Sequence, residues 1–171
     1  MSAIIKILID TILLRQGPDA LPASSNLMFF LIAISLIVSI ALASTVHGQQ
    51  IALMLGVIGL FITYIFVKIL LMNKPERFIQ TFSSIIGVSI LIDLVSVPVV
   101  FPLLNENTNQ NSVILFGLLA SALYIWLVVT YGFIISRAIS STMGYGISIA
   151  VAYVLVSYML VELILAGRVA S

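Results

Sequence analysis

Two carboxylates stand inside long apolar runs, and these are the residues with the most scope for chemistry. Asp93 lies near the middle of the run 80–104. A carboxylate at mid-membrane costs about 2.5–3.5 kcal/mol on insertion scales, so it must face a bundle interior or a wet cavity. Ser89 and Ser96 lie four residues before it and three after it, which places all three on one helix face. Pro98 and Pro102 follow at a spacing of four. Each lacks an amide hydrogen and frees a carbonyl about one turn earlier, near Leu94 and Pro98. A freed carbonyl can bind a cation, accept a hydrogen bond from another helix, or be satisfied by serine and water. Asp93 therefore reads either as a protonated or hydrogen-bonded structural contact or as a proton- or ion-linked group. Glu162 is the second carboxylate, four residues after Tyr158 in the last run, so phenol and carboxylate can touch. It reads as an interface-anchored glutamate. If the third and fifth spans adjoin, it is instead half of a proton-holding pair with Asp93.

The other polar candidates are few. Lys6 and Asp10 sit one turn apart in the segment 2–15 and can pair. Lys68 follows Tyr64 by four residues at the end of the second long run, which suits a lysine that reaches out to the membrane boundary. His47 is the single histidine and the chain has no cysteine, so no metal site and no thiol chemistry are expected. No nucleotide loop, zinc-protease motif, serine-nucleophile motif or histidine–carboxylate pair is present. The expectation is a chain that is not an enzyme and carries no cofactor. With a net charge of +1 and no basic patch, nucleic acid is not an expected partner.

The elements that must position these residues follow from composition. The chain has 171 residues, 62% hydrophobic and 8% charged. Soluble domains carry about 25% charged residues, so the main solvent here is lipid. Five apolar runs, at 27–46, 51–72, 80–104, 112–137 and 145–166, each meet the length of about 20 residues that a transmembrane helix needs. They are too long and too continuously apolar for barrel strands. Short links force neighbouring helices antiparallel. The predicted fold is all-α, a polytopic transmembrane helical bundle of five spans over 27–171. Residues 1–26 precede it as an interfacial amphipathic helix, which can equally pack against the bundle, and a Gly/Pro lead-in, where Gly17 and Pro18 stop the helix and Ser24, Ser25 or Asn26 caps the next one. The first run is broken by Lys6 and Asp10 and lacks a small-residue cleavage site, so no cleavable signal peptide is expected.

Basic residues set the expected orientation. With the N-terminus cytoplasmic, Lys6, Arg15, Lys68, Lys74, Arg77 and Arg137 fall inside and only Arg168 outside, six against one. Small residues four apart mark close-packing faces: Ser35, Ser39 and Ala43; Ser83 and Gly87; Gly117 and Ser121; Gly132 and Ser136; Gly146 and Ala150; Ser148 and Ala152. Trp126 lies deeper than an interfacial belt and is expected to pack between helices.

The lead-in Gln16-Gly17-Pro18-Asp19-Ala20-Leu21-Pro22, together with prolines in the third span, resembles the Yip1-like membrane proteins. That resemblance implies a cytoplasmic N-terminal segment, five spans and a C-terminus across the membrane, and the short links look more like bacterial members. The trafficking role of eukaryotic members goes with a longer N-terminal region and is not carried over. The functional expectation is an accessory or scaffold subunit of a bacterial inner membrane, with membrane lipids and other integral membrane proteins or a second copy as partners. The alternative is a small transporter or channel component built on Asp93.

Overall fold

The computed structural model describes residues 2–104 and 109–169, without the side chains of Ser2, His47, Arg168 and Val169. The expectations for His47, for Arg168 and for link residues 105–108 fall outside what it describes. Six α-helices occur among the described residues: α1 (Ser2–Ile12), α2 (Ser25–His47), α3 (Gln49–Leu70), α4 (Phe78–Val100), α5 (Gln110–Ile139) and α6 (Met143–Val169). No strand occurs among the described residues. Helices α2 to α6 are long and apolar enough to cross a membrane, with mean hydropathy of 2.3 to 2.7. The protein is an all-α integral membrane bundle, and each predicted span agrees with its helix to within four residues.

Turns between spans are tight. A single residue, Gly48, joins α2 to α3 at φ 77°, ψ 161°, a conformation that a side chain would disfavour. Ser140 ends α5 in the left-handed region, and its N–H donates to the carbonyls of Ser136 and Arg137. Ser24 caps α2 as expected, its hydroxyl accepting from the Leu27 N–H at 3.4 Å. The end of α1 comes earlier than the Gly17-Pro18 pair predicts. Leu14 takes the left-handed conformation at φ 59°, and the Arg15 N–H donates to the Asp10 carbonyl at 2.8 Å, which closes the helix before the glycine is reached.

The helices form two hairpins, α2–α3 and α5–α6, with α4 between them and packed chiefly on α2 and α5. Its central place shows in burial: 39% of its most apolar window is covered by protein, against 6–11% in the other four spans. Every residue from Thr81 to Val88 is buried. Small side chains allow the tightest crossings. A Cβ on Gly132 would meet Ile147 Cα at 2.7 Å, and one on Gly146 would meet Ser136 N at 2.9 Å, so α5 and α6 touch nearly backbone to backbone.

α1 is packed on the bundle, and it has three faces rather than two. Leu8 and Thr11 are buried; a Cβ on Gly87 would lie 2.7 Å from Leu8 Cδ2. Ile5, Ile9 and Leu13, at helical spacing, remain 45–46% exposed on a second face. Lys6 and Asp10 share a third, but among the described residues no ion pair joins them. Trp126 fastens the end of α1 to α5, its indole N–H donating to the Ile12 carbonyl at 3.1 Å. The indole stays 41% exposed, so it is tied to α1 by its edge rather than packed between helices as expected.

Candidate functional site

The polar groups gather at two levels. At the upper level, Asp93 is half-buried on α4 and lines an open groove of about 500 Å³ between α4 and α5. Ser96 lies in the same groove, with Ala120, Ser121 and Tyr124 of α5 across from it. The expected stripe of three residues does not act as a unit. Ser96 Oγ donates to the backbone carbonyl of Asp93 at 2.7 Å, as helical serines commonly do, and so leaves the carboxylate alone. Ser89 Oγ donates to the Ile85 carbonyl at 2.8 Å and lies 2.5 Å from the Tyr131 hydroxyl. A serine hydroxyl has one proton, so Tyr131 donates to Ser89. No donor among the described residues reaches the Asp93 carboxylate.

The prolines act differently from one another. Pro98 lies inside α4, with its ring exposed. Pro102 does not interrupt the α-helix: α4 stops at Val100, the Phe101 N–H donates to the Val97 carbonyl, and Pro102 sits in the 3-10 turn Phe101–Leu104. Glu162 and Tyr158 are both exposed on α6, one turn apart and in contact. Because α4 packs on α5 rather than squarely on α6, Asp93 and Glu162 are not brought together. Lys68 is exposed at the end of α3, 3.3 Å from the Tyr64 hydroxyl and 5.5 Å above its ring.

Sequence reasoning missed the groups that tie the spans to one another. Thr63 Oγ1 donates to the Gly59 carbonyl at 2.8 Å, so the Tyr153 hydroxyl, 2.7 Å away, donates to Thr63. Tyr153 stacks on Phe66 at 4.3 Å and lies 6.1 Å from the Tyr131 ring. Hydroxyls on α4, α5, α6 and α3 therefore meet in one layer, two donor–acceptor pairs joined by rings tilted 58° to each other. Nothing in the local pattern marks Tyr131 or Tyr153 as interior rather than belt residues.

The lower level is the end of the bundle where α4 begins and α5 ends. Arg77, Gln80, Thr81 and Ser84 recur at i, i+3, i+4 and i+7, a helical stripe legible in the sequence and overlooked because Gln80 and Thr81 read as a span boundary. Lys74 Nζ donates to the Ile139 carbonyl at 2.8 Å, and Arg77 Nη1 to the Ala138 carbonyl at 2.9 Å. These cations cap the carbonyl end of α5.

Comparison of the chain with protein-family models, with curated proteins and with solved structures finds no match. Function must therefore be argued from the two polar levels themselves.

Proposed function

We propose that this integral membrane protein is a non-enzymatic accessory or scaffold subunit. It binds a second membrane-embedded partner, a membrane protein, a further copy of the chain or a lipid, through the groove between α4 and α5. One observation carries the reading: the Asp93 carboxylate meets no donor among the described residues and faces an open groove. An unpaired carboxylate at such depth is costly, and a donor from outside the chain would relieve that cost. The α5 wall suits a close approach, since the small side chains of Ala120 and Ser121 line it.

Purification in a mild detergent tests this. The wild type is expected to retain a stoichiometric membrane protein, a second copy or a lipid, and Asp93→Leu to lose it. The unfolding temperature of the isolated chain should stay the same or rise, because the substitution removes an uncompensated charge. A wild type that runs alone and matches Asp93→Leu in every respect would sink the proposal.

The runner-up is a small transporter or channel component with a proton or ion site at Asp93, favoured by the hydroxyl layer below it. The buried run Thr81–Val88 stands against an open path from Asp93 to the cation-bearing end. Ion- or proton-dependent flux in liposomes that Asp93→Asn abolishes at unchanged stability would replace the scaffold reading. The five spans behind a Gly-Pro lead-in also support a Yip1-like, bacterial assignment, and the charge distribution supports an inner-membrane protein with its N-terminus cytoplasmic.

A further inference from the structure

At the end of the bundle where Lys74, Arg77 and Arg137 converge, α4, α5 and the lead-in turn Pro18–Ala20 enclose a cavity of about 300 Å³. Its polar wall is Asp19, Arg77, Gln80, Thr81, Arg137 and Ser140. Some of these groups are already committed. Gln80 Nε2 donates to the carbonyls of Asp19 at 3.3 Å and Leu21 at 2.7 Å, which pins the lead-in to α4. Arg77 Nη1 donates to the Arg137 and Ala138 carbonyls and to Ser140 Oγ.

What is left over is mostly donor, with the Asp19 carboxylate and the Gln80 amide oxygen as the exceptions. A guanidinium has five N–H groups, so Arg77 keeps its Nε and Nη2 hydrogens. The Arg137 guanidinium rests only over the Phe133 ring, at 5.3 Å. The Thr81 hydroxyl is fully buried in the cavity wall and has no hydrogen-bond partner. Against the three cations stand two carboxylates, Asp19 and Glu76, and among the described residues neither forms an ion pair with them. Asp19 is folded back over Gly17, where a Cβ would lie 2.5 Å from its Oδ1. A surplus of positive charge and unmet donors around a half-open cavity calls for an anion with several oxygens.

We propose that this cavity binds a phosphate group, carried either by an anionic lipid headgroup or by a small soluble phosphate. Arg137 and the free edge of Arg77 grip its oxygens, and the Thr81 hydroxyl supplies the inner hydrogen bond. The site is independent of the Asp93 groove, at the other level of α4.

Thermal unfolding of the purified full chain in neutral detergent, titrated with inorganic phosphate or with short-chain phosphatidylglycerol, tests the site. The wild type is expected to gain stability saturably. A response to phosphate identifies a soluble ligand, and a response to phosphatidylglycerol alone identifies a lipid headgroup. Thr81→Val and Arg137→Gln should each weaken binding about tenfold, the effect of losing one hydrogen bond to a charged group. Without ligand, Thr81→Val should melt no lower than wild type, because the hydroxyl it removes has no partner. Asp19→Asn should tighten binding by removing a negative charge from the wall. The proposal is overturned if neither titrant stabilises the wild type, if Thr81→Val and Arg137→Gln bind as the wild type does, or if Asp19→Asn weakens binding.

Discussion

Glycines that look alike in the sequence have opposite surroundings. Gly117 and Gly132 each lie four residues before a serine on α5. Gly132 abuts the Ile147 backbone of α6, whereas Gly117 has open space around it. Gly132→Ala is expected to lower stability by about 1–3 kcal/mol, as overpacking does. Gly117→Ala is expected to be neutral or slightly stabilising, because alanine has the higher helix propensity. Thermal unfolding of the two variants in one detergent checks the contrast. The same distinction separates Ser89 from Ser96: both lie one turn from Asp93, yet one is held by a tyrosine of the next helix and the other by the backbone of its own.

At the scale of the element, α1 carries the clearest consequence. Leu8 packs at Gly87, nine residues beyond the start of α4, or about 13 Å along the helix at 1.5 Å per residue. The three faces of α1 thus need bundle, lipid and water at that height, and labelling each face tests whether the helix lies at the membrane surface. In reconstituted protein, Lys6→Cys should react with a water-soluble maleimide. Ile9→Cys should be reached only by a membrane-phase reagent, and Leu8→Cys by neither until the protein unfolds. Equal labelling of Lys6→Cys and Ile9→Cys by the water-soluble reagent would mean that α1 lies clear of the membrane.

At the scale of the molecule, α4 is the hub and its two ends differ in character. The end near Phe78 is enclosed by α1, the lead-in and the end of α5, and cations crown it. The far end is looser and opens on the Asp93 groove. If the crowned end is cytoplasmic, as the basic residues predict, an odd number of spans puts the C-terminus on the other side. A C-terminal phosphatase fusion, active only outside the cytoplasm, is expected to be active. Activity from a cytoplasm-dependent reporter at that position instead would invert the topology and move the phosphate cavity to the outer face.

Run length and charge position determined the membrane character and the five spans, because the need to satisfy every backbone group in lipid acts on each segment locally. The suspicion of Asp93 was legible for the same reason: a charge in an apolar run is costly wherever the run packs. The partners of the polar groups were not legible. Lipid-facing and helix-facing sides of a span are equally apolar, so hydropathy does not reveal how each helix is turned about its axis. That rotation joins Tyr131 to Ser89 and Tyr153 to Thr63 while leaving Asp93 unmet. It also closes Arg77, Thr81 and Arg137 around a cavity. Only the tertiary structure fixes it, because it depends on shape at the crossings, where one Cβ on Gly132 or Gly146 would hold the helices apart.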